Sequence, residues 1–178
     1  VRLVSPNDFG AFSVWLGVAK LYSISVTLRL EASLVNEPDG YERDMGMALV
    51  ILTIILMSCL MIPVTVVLYF LAPESMEVLP SFAWLSLGPC ALLFAVDSSL
   101  QSWAAADGRY RDLNKIRIAQ AAMMTCSQLV LAYFFQSSMS LIAGITFGCF
   151  VGITISLFIW PLRKFSYLNS WSKLGIFW

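Results

Sequence analysis

Histidine occurs nowhere in the 178 residues. Its absence removes the commonest general base and the commonest metal ligand. Charge is scarce as well: Asp, Glu, Lys and Arg make up 12% of the chain, where soluble globular chains carry about a quarter. The 11 basic and 11 acidic residues cancel, so no basic footprint spans the chain and nucleic acid is not an expected partner. Cysteine is limited to Cys59, Cys90, Cys126 and Cys149, each alone in an apolar run. None of their spacings fits a metal or redox motif, and all four read as small buried hydrophobes. There is no HExxH, no GxSxG and no phosphate-cradling glycine loop. The chain therefore reads as a non-enzyme without cofactor or metal. Residue 1 is Val rather than Met, and no signal peptide precedes the first apolar run. A fragment that lacks its true start is expected.

What is present is apolar. Hydrophobic residues reach 59% and the mean hydropathy is +0.79, which places the chain among membrane proteins. Five apolar segments stand out: Ala11–Leu28, Gly46–Leu71, Phe82–Ala106, Ile118–Phe135 and Leu141–Pro161. Each approaches or exceeds the roughly 20 residues that a helix needs to cross the hydrocarbon core. No alternating ten-residue segments point to a barrel. The fold class is all-α, a polytopic membrane helix bundle. Five transmembrane helices are expected, over about 11–35, 46–71, 81–106, 116–135 and 140–161, within a single unit covering residues 1–178.

The connections sort by charge. If successive spans alternate in direction, residues 1–10, 72–79 and 136–140 share one side and carry one basic residue, Arg2. Residues 36–45, 107–117 and 162–178 share the other, with Arg43, Arg109, Arg111, Lys115, Arg117, Arg163, Lys164 and Lys173. Excess Lys and Arg marks the cytoplasmic face. The stretch "DGRYRDLNKIR" is then a cytoplasmic loop in which Arg109, Arg111, Lys115 and Arg117 hold orientation and face anionic lipid headgroups. The terminal "KFSYLNSWSKLGIFW" reads as an interfacial segment or the lead-in to a further span.

The same loop carries a family resemblance. "LQSWAAADGRYRDLNKIRIAQA" is similar to the junction between spans four and five of the bacterial polysaccharide transporters, the Wzx-type flippases of lipid-linked oligosaccharides in the MOP superfamily. "LVSPNDFGAFSVWLG" resembles their segment between spans one and two, and "TLRLEASLV" the end of their second span. The three motifs occur in the family's order and cover nearly the whole chain. Asp107 departs from the pattern, since a basic or amide residue is expected there. The resemblance implies that the chain holds spans two to six of a twelve- or fourteen-span protein, an incomplete six-helix half. It also implies location in the bacterial inner membrane and a role in O-antigen or exopolysaccharide biosynthesis. The substrate would be an undecaprenyl-diphosphate-linked oligosaccharide, crossing a cationic cavity between two bundles. The missing C-terminal half of the same protein and a polysaccharide polymerase are the implied partners, beside membrane lipid.

Charged groups inside spans are costly and are functional candidates by default. Lys20 lies near the middle of the first span, with Ser13, Ser23 and Thr27 roughly on its side. In the implied cavity it would pair with the substrate diphosphate. A snorkelling lysine, or one paired with a carboxylate in the bundle, is the alternative. Arg29 would be an entry guanidinium, since a planar fork suits phosphate, or else a partner of Glu31 at the helix end. Asp97, with Gln101 one turn on and Ser98 and Ser102 as a second such pair, is either a candidate for coupling to a proton or sodium ion or a helix-contact acid. Pro63 and Gly88-Pro89 should kink their helices. Gly144, Gly148 and Gly152, flanked by Ser140 and Ser156, form a small-residue face suited to close helix packing.

Three rivals remain. A cation-coupled multidrug or metabolite antiporter of the same superfamily needs cavity acids, whereas the mid-span charge here is Lys20. A membrane polymerase or glycosyltransferase needs a large extracytoplasmic loop, and residues 72–79 and 136–140 are too short for one. A non-transporting assembly subunit is the third.

Overall fold

The computed structural model describes residues 4–36, 41–71 and 81–159. It is helical throughout, with no strand among the described residues. The helices are α1 (Pro6–Thr27), α2 (Tyr41–Leu71), α3 (Ser81–Ala106), α4 (Tyr110–Phe135) and α5 (Ser138–Ile159), with a 3-10 helix over Leu30–Val35 between the first two. Among the described residues, α1, α3, α4 and α5 are long and apolar enough to cross a membrane, and α2 adds the shorter apolar stretch Met45–Leu60. The chain is a helical membrane bundle. Its outer surface agrees: Leu21 is 66% exposed, Phe134 72% and Phe158 83%, side chains that water would not tolerate in such density.

Local chemistry sets the helix ends. At the start of α1, Ser5 Oγ accepts from the Asp8 backbone N–H at 3.1 Å and Pro6 opens the first turn, which satisfies a donor that the helix itself cannot. The same helix stops earlier than the expected 11–35. Leu28 (φ 49°) and Arg29 (φ 59°) both turn left-handed, and the Arg29 N–H finds Thr27 Oγ1 at 3.3 Å. Two successive residues in that conformation cannot continue a right-handed helix, so the chain resumes as the 3-10 turn that buries Leu34.

The expected loop over 107–117 is also shorter. Only Asp107, Gly108 and Arg109 form the turn, with Gly108 at φ 70°. Arg111, Lys115 and Arg117 belong to the first turns of α4, exposed, while Leu113 and Ile116 between them are buried. Arg and Lys are good helix formers, and their stems cover apolar surface while the heads stay in polar surroundings. In a similar way α2 begins at Tyr41, before the first apolar residues of its span, and continues as helix through Pro63; α3 likewise runs on through Pro89. The segments 72–80 and 160–178, which include Arg163, Lys164, Lys173 and the aromatic terminus, lie outside the described residues, as does Arg2.

Helix α3 is the centre, packed against α1, α2, α4, α5 and the 3-10 helix, whereas α4 lies mainly on α5. Buried residues fall into two clusters. One, toward the end that carries the Asp107–Arg109 turn, includes Val26, Leu34, Val50, Leu100, Trp103 and Ile116. The other includes Phe12, Trp15, Leu87, Phe94, Ile142 and Ile145. Trp15 is fully buried, and its Nε1–H donates to the Ala83 carbonyl at 2.9 Å and to Ser86 Oγ at 3.2 Å, tying α1 to α3.

Candidate functional site

Between the two apolar clusters, at Phe94–Gln101 of α3, the interior turns polar. Asp97 sits there with 8% of its surface exposed. Its Oδ2 accepts from Gln101 Nε2 at 2.9 Å, on the same helix, and from Gln120 Nε2 at 3.0 Å, from α4. Its Oδ1 is buried without a hydrogen-bond partner. Gln120 also reaches Cys149 Sγ of α5 at 3.6 Å. Gln101 continues outward: its Oε1 accepts from Arg117 Nε at 3.0 Å. A carboxylate in an apolar interior costs several kcal/mol unless paired or hydrogen-bonded (~2.5–3.5 at mid-bilayer), and the two amides offset part of that cost.

Lys20 approaches from α1. Its Nζ stands 4.2 Å from the centroid of the Phe94 ring, a cation–π contact with a residue one turn from Asp97. Lys20 and Arg117 both act electrostatically on Asp97, yet among the described residues no carboxylate lies within ion-pair distance of Lys20. Its residue is exposed, on a flank where a Cβ added to Gly10 or Gly17 would meet nothing within 4 Å. Ser13 shares that open flank, while Ser23 and Thr27 are buried, contrary to the expectation that they would accompany Lys20. The helical spacing explains the level of the site. Lys20 lies seven residues from the end of α1, and Asp97 nine from the end of α3, so about 10–14 Å from the basic end in each case.

The other sequence candidates fall elsewhere. Arg29 is exposed in the turn after α1, and no ion pair joins it to Glu31, whose Oε2 is buried and unpartnered. Gly144, Gly148 and Gly152 are buried on α5 facing α4, where added Cβ atoms would meet Gln128, Met124 and Gln120 respectively. Of the cysteines, Cys90 and Cys149 are buried but Cys59 and Cys126 are exposed, which corrects the expectation of four buried thiols. Lipid is as apolar as the core, so an apolar neighbourhood in sequence does not report an inward position. Arg109 donates from Nε to the Asp107 carboxylate, which also lies 3.9 Å from Arg43 Nη1 at the start of α2.

Three participants were missed from sequence: Gln120, Phe94 and the inward link of Arg117. Gln120 had a signal, as one of two amides, with Gln128, in the apolar stretch Ile118–Phe135, and the one at a depth that matches Asp97. Phe94 had none, because one aromatic among many carries no mark. Arg117 was assigned to a loop because charge was equated with solvent. No protein-family model, no curated protein and no solved structure matches this chain.

Proposed function

We propose that this bundle belongs to a transporter that flips an undecaprenyl-diphosphate-linked oligosaccharide across the bacterial inner membrane for surface polysaccharide synthesis. The observation that carries the reading is Lys20: an ammonium within a membrane-spanning helix, on an open flank, held by an aromatic face rather than by an acid. A cation kept free at that depth suits an anionic cargo. The three ordered motifs that resemble those of the flippases support the same class and imply membrane lipid, the second half of the transporter and a polysaccharide polymerase as partners. No covalent chemistry is required of the bundle; substrate passage follows from rocking of two bundles around the cavity. In this reading Lys20 binds the diphosphate, Arg29 meets it at the entrance, and Arg109, Arg111, Lys115 and Arg117 mark the cytoplasmic face.

A cation-coupled antiporter of the same superfamily is the second reading, favoured by the unpartnered Oδ1 of buried Asp97. The two readings separate at Lys20. In a strain that depends on the protein for surface polysaccharide, Lys20→Ala should abolish export with abundance and topology intact, and Lys20→Arg should retain part of it because the charge survives with altered geometry. Normal surface polysaccharide from a well-expressed Lys20→Ala strain would remove the diphosphate-binding role of Lys20, and normal surface polysaccharide after deletion of the protein would remove the flippase reading.

A further inference from the structure

Arg117 is tied to the buried carboxylate by a chain of hydrogen bonds with a defined polarity. A glutamine amide has one end that donates and one that accepts. Because Asp97 Oδ2 takes the Gln101 NH2 group at 2.9 Å, the Gln101 oxygen must point the other way, and it accepts from Arg117 Nε at 3.0 Å. A flipped amide would set oxygen against the carboxylate and NH2 against the guanidinium, both repulsive. Asp97 thus selects the orientation of Gln101, and Gln101 fixes the guanidinium through its one inner nitrogen. Among the described residues the two terminal nitrogens of Arg117 have no protein partner, and the residue is exposed.

Charge points the same way. Lys20, over the Phe94 ring, and Arg117, on Gln101, stand on the two sides of Asp97, two cations around one acidic side chain. Such an excess favours an anionic ligand, and a guanidinium fork suits phosphoryl oxygens. We propose that Arg117, held by Asp97 through Gln101, is a second phosphoryl-binding residue of the Lys20 site, and that Asp97 is its positioning residue. The assignment rests on the flippase reading and makes it more specific by naming a second cation for the same anionic cargo. It also gives Arg117 a role in the substrate site beyond marking membrane orientation.

The test uses the purified protein in nanodiscs of zwitterionic lipid, with farnesyl diphosphate as probe and thermal unfolding as a control for folding. Arg117→Ala, an exposed change, should weaken binding about tenfold, the scale of one charge-assisted contact, and Arg117→Lys should recover part of the loss. Gln101→Leu and Asp97→Asn should weaken binding in the wild-type background but have no further effect once Arg117 is Ala, a non-additivity that a merely structural role would not produce. If phosphatidylglycerol added to the discs competes with the probe in an Arg117-dependent way, the same site takes a lipid headgroup phosphate, and the residue assignment stands. Binding that is lost in Lys20→Ala but unchanged in Arg117→Ala and Gln101→Leu overturns this assignment alone. A wild-type protein that binds no farnesyl diphosphate overturns the flippase reading and the assignment together.

Discussion

Gly148 faces α4 so closely that a Cβ built on it would lie 2.6 Å from Met124 Cβ and 3.1 Å from Met124 Cα. Gly152, one turn on, would place a Cβ 3.0 Å from Gln120 Oε1 and 3.2 Å from Asp97 Oδ1. The two positions therefore differ in what a side chain would disturb. At 148 it would push against the main chain of α4, and at 152 against the polar network. Small residues let helices approach where lipid gives them no hydrophobic reason to associate. Gly148→Leu should destabilise the bundle by about 3 kcal/mol, the upper range of overpacking costs, read as a lower unfolding midpoint in membrane extract. An unchanged midpoint would show that α4 gives way without cost. The four-residue spacing of these glycines was legible in the sequence. Their helix partner was not, because every neighbouring helix is equally apolar.

At the scale of elements, the helices were legible from length and apolarity, and the third was placed at 81–106, the limits of α3. Errors gathered where charge and backbone geometry compete. The early end of α1 depends on left-handed Leu28 and Arg29, and neither residue type announces that conformation. The early start of α4 comes from cations that lie along a helix whose inner face buries Leu113 and Ile116. Moving Arg111, Lys115 and Arg117 from loop to helix leaves them near the same membrane surface, so the expected orientation is unaffected. In a background without the native cysteines, Asn114→Cys on α4 should react with an impermeant thiol reagent only after permeabilisation. Asn7→Cys in the first turn of α1 should react from outside. Both sites are exposed. The reverse pattern would invert the orientation and move Lys20 and Asp97 to the outer half of the bilayer.

For the molecule as a whole, a central helix carries one carboxylate into the seam between two apolar clusters, and α1 and α4 each bring a cation toward it. Asp97 and Lys20 were both visible in the sequence as charges out of place. That they approach one level of the bundle without forming an ion pair was not, because pairing depends on helix rotation, which an evenly apolar sequence leaves unspecified. The central claim is that the Lys20 charge serves a ligand rather than Asp97. Thermal unfolding of Lys20→Ala, with and without farnesyl diphosphate, tests it most directly. Losing only a cation–π contact should shift the midpoint of the ligand-free protein by no more than about 3 °C, while the rise expected of the wild type with farnesyl diphosphate should be absent. A large fall in the ligand-free midpoint, restored by adding Asp97→Asn, would contradict the account and make Lys20 the structural counter-ion of Asp97.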